Sequence, residues 1–270
     1  MISNLARLAC IVVGAAILFA APAEAAQCGN NAGGFEAWKQ QFAAEARARG
    51  IGAKGLEALA RTQYATKTIA ADRGQKSFKY SLQKFMQVRG SSAIISQGRR
   101  QKAANAKFFA RIERQYGVPA GPLLAIHGME TGFGRFMGNA NVMSAIATLA
   151  YDCRRSAFFT DHLLAALQLV DYGIISSNTT GAMHGEIGHT QFLPGSVLKY
   201  GVDGDGDRRL DLAGSKYDAL ASTANFLRAH GWRPGAGYQP GEPNFRAIQG
   251  WNAASVYQQA IAIMASEIDK

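Results

Sequence analysis

Alternating apolar and polar runs are nearly absent from this chain, which removes a sheet-based fold from consideration. There is no His-Glu-x-x-His motif, and the nearest histidine pair, His184 and His189, misses the i, i+4 spacing that two zinc ligands on one helix need. Neither a Gly-x-Ser-x-Gly elbow nor a glycine loop ahead of a basic helix occurs, so serine-hydrolase and phosphate-binding readings fail as well. Repeats, low-complexity tracts and an obvious interdomain linker are also missing. Acidic residues are few: 19 Asp and Glu against 29 Lys and Arg leave a net charge of +10. Such a surface favours anionic partners. The basic residues are scattered and carry no RNA-binding signature, which argues against nucleic acid and leaves an acidic membrane or an acidic cell-wall polymer.

What is present begins with an export address. Arg7 supplies a basic start, an apolar stretch runs from Leu8 to Ala21, and Ala23-Glu24-Ala25 has the small-x-small form of a cleavage site. The stretch is shorter than the about 20 residues of a membrane span, so residues 1–25 read as a cleaved signal peptide, with an uncleaved anchor as the alternative. No other segment is apolar enough to cross a bilayer. Residues 26–270 are then expected as one domain in the periplasm. Of three cysteines, Cys10 leaves with the leader; Cys28 and Cys153 remain, an even count that allows a disulfide in an oxidising compartment, two buried thiols being the alternative. Gln27 before Cys28 is not the small residue that lipid attachment wants.

Helical spacing dominates the rest. Phe35, Trp38 and Phe42 form one stripe, and a second helix is expected over Leu56 to Arg61. The spacing predicts a single long helix from about Ala93 to Tyr116, closed by Gly117-Val118-Pro119. Further helices are expected over Ser156 to Tyr172, Asp218 to His230 and Ala254 to Ile268, with a proline-led turn from Pro194 to Tyr200. Ser176 to Gly188 and Arg233 to Pro243 read as loops. The fold class is mainly α.

Glu130 is the most informative residue. It ends the apolar run Leu123-Leu124-Ala125-Ile126-His127-Gly128-Met129, and Leu123, Ile126, His127 and Glu130 fall on one helical face. A carboxyl in apolar surroundings resists ionisation and can carry a proton near neutral pH, as a general acid must. A structural ion pair would place a glutamate there equally well. Gly132 and Gly134 stop the helix and let another chain approach. A second segment, Gly185-Glu186-Ile187-Gly188-His189-Thr190-Gln191-Phe192-Leu193-Pro194, can aim the Gln191 amide into a cleft while Phe192 anchors the core.

These motifs resemble the lytic murein transglycosylases of the membrane-bound B type, glycoside hydrolase family 103. The resemblance spans nearly all of residues 26–270. It includes Met129-Glu130-Thr131-Gly132-Phe133-Gly134, Thr148-Leu149-Ala150-Tyr151-Asp152-Cys153-Arg154-Arg155-Ser156, Gly188-His189-Thr190-Gln191-Phe192-Leu193-Pro194, Asp218 to Trp232, and Trp251-Asn252 ahead of Tyr257. It implies a lysozyme-like helical catalytic domain acting on peptidoglycan, with Glu130 as the single acid/base. Arg154, Arg155, Gln191, Asn252 and Tyr257 fall where the family contacts the glycan and its peptide. Trp251 replaces a usual tyrosine and keeps a stacking surface. Ala182 stands where a relative has a substrate-binding serine, and Glu186 adds a carboxylate where a small residue is common. The resemblance also implies that no cofactor is needed for the chemistry.

The acidic run Asp203, Asp205, Asp207 and Asp211, with the Arg209 carbonyl between, follows positions 1, 3, 5, 9 and 7 of a calcium loop. Arg208 stands where glycine makes the turn, and Gly214 where a bidentate glutamate closes the site. The resembling family has an irregular loop of this kind, in which Asp218 is the late ligand. A solvated acidic turn is the alternative to structural Ca²⁺.

Overall fold

The computed structural model describes residues 26–74 and 80–270; the expected leader, 1–25, lies outside them. Helix follows helix: α1 (Phe35–Ala48), α2 (Ala53–Ala60), α3 (Thr66–Arg73), α4 (Leu82–Arg89), α5 (Ser91–Ala104), α6 (Ala106–Tyr116) and α7 (Ala120–Thr131). Then come α8 (Val142–Tyr151), α9 (Ser156–Asp171), α10 (Pro194–Tyr200), α11 (Lys216–Ala229), α12 (Phe245–Trp251) and α13 (Ser255–Asp269). The strands among the described residues are Ala140–Asn141 and Thr180–Gly181, an antiparallel pair that ties the start of α8 to the long loop before α10. The chain is mainly helical, as the sequence predicts. No helix among the described residues is long and apolar enough to cross a membrane.

The expected single helix from Ala93 to Tyr116 is two. Asn105 breaks it with φ −121° and ψ 32°, and its Nδ2 donates to the Gln101 carbonyl at 2.8 Å while its Oδ1 accepts from the Tyr217 hydroxyl at 2.9 Å. The apolar register continues across the break, which is why spacing alone joins the two pieces.

Helix α7 is the centre of the molecule, packed by α13, α5 and α11. The sequence pattern assigns it one buried face, but the helix is buried all round: every residue except Glu130 is buried. Leu123, Leu124 and Ile126 are buried, each contributing about 1.5–3 kcal/mol. Small residues make this possible. A Cβ at Gly121 would overlap the Ala265 carbonyl, and one at Gly128 would press on Ile94. The Gly121 N–H donates to Asp269 Oδ1 at 2.8 Å, which satisfies an otherwise unpaired donor in the first turn.

Cys28 and Cys153 are joined by a disulfide. Around it, the Gly29 N–H donates to the Tyr151 carbonyl at 2.9 Å and the Cys153 N–H to the Gly29 carbonyl at 3.2 Å, so the segment before α1 is clamped to the end of α8.

Candidate active site

The C-terminus of α7 is built to hold one carboxylate at an opening. Gly132 leaves the helix in the left-handed region at φ 58°, and Phe133 and Gly134 follow it there. The turn brings in a second chain, because a Cβ on Gly134 would overlap the His189 ring. The buried Thr131 hydroxyl donates to the His189 carbonyl at 2.7 Å and accepts from the Gly134 N–H at 2.9 Å. His127 Nε2 lies 3.0 Å from His189 Nδ1. Burial first, then His189 and Lys216, hold His127 down to a pKa of about 3, so this link is between neutral rings. Helix α7 and the Gln191 turn are thereby fastened together.

Glu130 lines a pocket of about 290 Å³ with Glu186, Gln191, Phe192, Trp251 and Asn252. Tyr257 donates its hydroxyl to Glu130 Oε1 at 2.6 Å, and the Trp251 indole N–H donates to the same oxygen at 3.0 Å. With Oε1 accepting twice, the exchangeable proton belongs on Oε2. Burial pushes the Glu130 carboxyl up; the two donors favour the charged form and oppose this, the Glu186 charge adds to the rise and Arg89 opposes it. The net direction is upward, as a general acid near neutral pH requires.

The other expected residues divide. Gln191 adopts φ 56°, and its Nε2 donates to the Gly188 carbonyl at 2.7 Å, so its amide is braced against its own turn at the pocket wall. Asn252 lines the pocket, and its Oδ1 accepts from the Ala254 N–H at 2.9 Å. Trp251 packs edge-on against Phe192 and Phe226, with ring centroids 5.3 and 5.1 Å away. Tyr257 is buried and stands behind Glu130. Arg154 and Arg155 are not in this pocket. Both bond the buried Asp72 at the end of α3. Burial pushes Asp72 up, but the hydrogen bonds and charges of the two arginines outweigh it and hold the carboxyl low. Asp72 lies beside a larger opening of about 1010 Å³ lined by Ala70, Ala71, Arg89, His184 and Glu186, and Glu186 is shared with the Glu130 pocket. Asp72 carries no motif, and its pairing joins residues 82 and 83 apart in sequence.

In the acidic loop, carboxylate oxygens of Asp203, Asp205 and Asp218 lie within 4.8 Å of one another. Asp218 is buried, and its two oxygens accept from the Gly204 and Asp211 N–H groups, each at 2.8 Å. Arg208 takes φ 69°, the left-handed turn that glycine would make. Asp207 accepts from the Arg209 N–H and Asp211 from the Ala213 and Gly214 N–H groups, and both stand outside the three-carboxylate group. Hard oxygen donors of this kind suit Ca²⁺.

Residues 34–240 match the transglycosylase SLT domain. The chain belongs to that family. The SLT-domain chain is 37% identical over 138 residues to membrane-bound lytic murein transglycosylase B of Escherichia coli (strain K12), covering 48% of this chain and 38% of that protein. The match thus spans well under half of that relative's length. Its fold is similar to that of SltB3 from Pseudomonas aeruginosa in complex with NAG-anhNAM-pentapeptide, with TM-score 0.80 and 30% identity over 87% of this chain and 79% of that one. It also resembles the Escherichia coli lytic transglycosylase Slt35 in complex with calcium, with TM-score 0.76 and 22% identity over 90% of this chain and 96% of that one. At that identity the likeness shows the SLT fold alone.

Proposed function

We propose that this SLT-domain chain is a lytic murein transglycosylase that breaks the β-1,4 bond between N-acetylmuramic acid and N-acetylglucosamine and leaves 1,6-anhydromuramyl ends. The observation that carries the reading is Glu130: one carboxyl on the only open position of a buried helix, with Oε1 held by two donors. Oε2 protonates the departing glycosidic oxygen. The sugar's own 2-acetamido oxygen attacks the anomeric carbon, so a second carboxylate is not needed there. Glu130, now a base, takes the proton from the muramyl C6 hydroxyl, whose oxygen attacks the anomeric carbon and displaces the acetamido oxygen, closing the 1,6-anhydro ring. An intramolecular hydroxyl outcompetes water through its effective concentration. Gln191 and Asn252 position the sugar's polar groups.

Residues 1–25 serve as the signal peptide, 26–270 as the catalytic domain, and the periplasm as the site of action. The +10 charge suits an anionic meshwork. Asp203, Asp205 and Asp218 would hold a structural Ca²⁺, which would brace the loop that leads into α11. Glu186 supports a second reading, since a carboxylate in the same pocket can activate water and make the enzyme a hydrolase. Mass spectrometry of products from purified sacculi separates the two, because anhydromuramyl ends are one water lighter than reducing ends. Reducing ends alone would end the transglycosylase assignment.

A further inference from the structure

Glu130 opens onto more than one space. Besides the pocket beside Trp251, it lines a groove of about 380 Å³ formed by the end of α4, the start of α5 and the end of α7. Val88, Arg89, Arg135 and Phe136 belong to this groove. Phe136 is its least expected member. The chain buries Phe35, Phe42, Phe85, Phe109, Phe159, Phe192 and Phe226, yet leaves the Phe136 ring 74% exposed. The ring rides on an ordered turn, because its N–H donates to the Thr131 carbonyl at 3.0 Å. Arg135 is oriented beside it by an Nε bond to the Gly132 carbonyl at 3.0 Å. Neither the terminal nitrogens of Arg135 nor the Arg89 guanidinium has a hydrogen-bond acceptor among the described residues. An aromatic face with two guanidinium groups next to it, continuous with the catalytic carboxyl, matches a pyranose ring that carries acidic groups.

We propose that this groove is a sugar subsite, in which Phe136 stacks on a pyranose ring of the glycan strand and Arg89 and Arg135 receive a carboxylate of its peptide substituent. The proposal rests on the reaction assigned above. An aromatic contact of this kind changes affinity by about three- to tenfold.

Steady-state kinetics on soluble glycan strands test it, using long strands with peptides, long strands stripped of peptides, and the shortest strand that is cleaved. Phe136→Ala should raise KM about three- to tenfold on both long strands, leave kcat within about twofold, and change nothing on the shortest. Phe136→Trp should restore the wild-type KM, and Arg135→Gln should raise KM only on peptide-bearing strands. An unchanged KM for Phe136→Ala on long strands overturns the subsite, and equal effects of Arg135→Gln with and without peptides overturn the carboxylate contact. Because Phe136 is exposed, loss of folding does not cloud the comparison. Reducing ends from the wild-type chain would overturn the assigned reaction while leaving the KM comparison intact. If no strand is cleaved, sedimentation of the Glu130→Gln and Glu130→Gln/Phe136→Ala chains with the long strands replaces KM, and equal binding overturns the subsite.

Discussion

Tyr257 and Glu130 share a 2.6 Å hydrogen bond across 127 residues of sequence, with the hydroxyl donating to Oε1. Removing that hydroxyl takes away a donor that favours the charged carboxylate, so the Glu130 pKa rises further. Cleavage starts from the protonated acid and is lost as pH rises through its pKa. Tyr257→Phe therefore moves the alkaline limb of kcat/KM to higher pH. Glu186→Gln removes a like charge and moves the limb to lower pH. Coincident limbs in all three proteins would falsify this account.

Glu130→Gln keeps the fold and removes nearly all turnover, because the amide fills the space but neither gives nor takes the proton. General acid–base work contributes about 10²–10⁴-fold, and this residue serves both halves. Gln191→Ala and Asn252→Ala cost less, since positioning groups leave the proton transfer in place. Turnover of sacculi by the purified, folded variants ranks them, and equal losses at all three would mean that the roles are misassigned.

Reduction of the Cys28–Cys153 bond releases a loop closed over a sequence separation of 125. The chain-entropy model puts the loss at about 4–5 kcal/mol, and measured losses are often smaller. Urea midpoints of the protein with and without reductant read it directly. A midpoint that does not move would leave the clamp at the end of α8 to its backbone hydrogen bonds.

Acid should weaken the protein through His127. Its folded pKa, about 3, lies below the 6.5 of the free side chain, so the unfolded chain binds a proton that the folded one refuses. Stability present above pH 6.5 is then lost progressively as the pH falls toward 3. His127→Leu lacks this component, and its stability should vary less with pH over the same window. Parallel curves for the two proteins, from urea midpoints at several pH values, would count against a neutral histidine pair.

Calcium should raise the unfolding temperature with its concentration, by mass action on the native state. Asp205→Ala should abolish the rise, because it removes one of the three converging carboxylates while sparing the backbone bonds that Asp218 accepts. With no closing glutamate, affinity near the 10⁻⁴–10⁻³ M order of extracellular modules is expected. A melting curve unmoved by millimolar Ca²⁺ against a chelator control would leave a solvated turn.

Helical periodicity and its punctuation made the fold class, α1, α9, α11 and α13 legible in the sequence. Gly132 and Gly134 signalled the close approach that the His189 ring then makes. The helices α3, α4 and α12 were not legible, because each spans only about two turns, too few to establish a helical period. The α5–α6 break was hidden by an apolar register that runs across it. Glu130 stood out by its place on an apolar helix, but its donors did not: Trp251 and Tyr257 reach it over 121 and 127 residues, a relation that only the packing of α13 against α7, with α12 seated on α13, creates. Asp72 was invisible for the same reason, as one carboxylate among several until two arginines meet it.

The burial of α7 on every side limits how this chain can diversify. A helix with free faces can exchange residues while its catalytic group stays put. Here a change of volume at almost any position from Ala120 to Met129 presses on α5, α11 or α13 and shifts the carboxyl with it. Substrate preference can drift only at the rim, through side chains such as Phe136, Glu186 and Asn252 that border the openings without carrying the helix. A saturation library should thus show one contiguous intolerant stretch across α7, with new specificities recovered from loop and groove-edge positions.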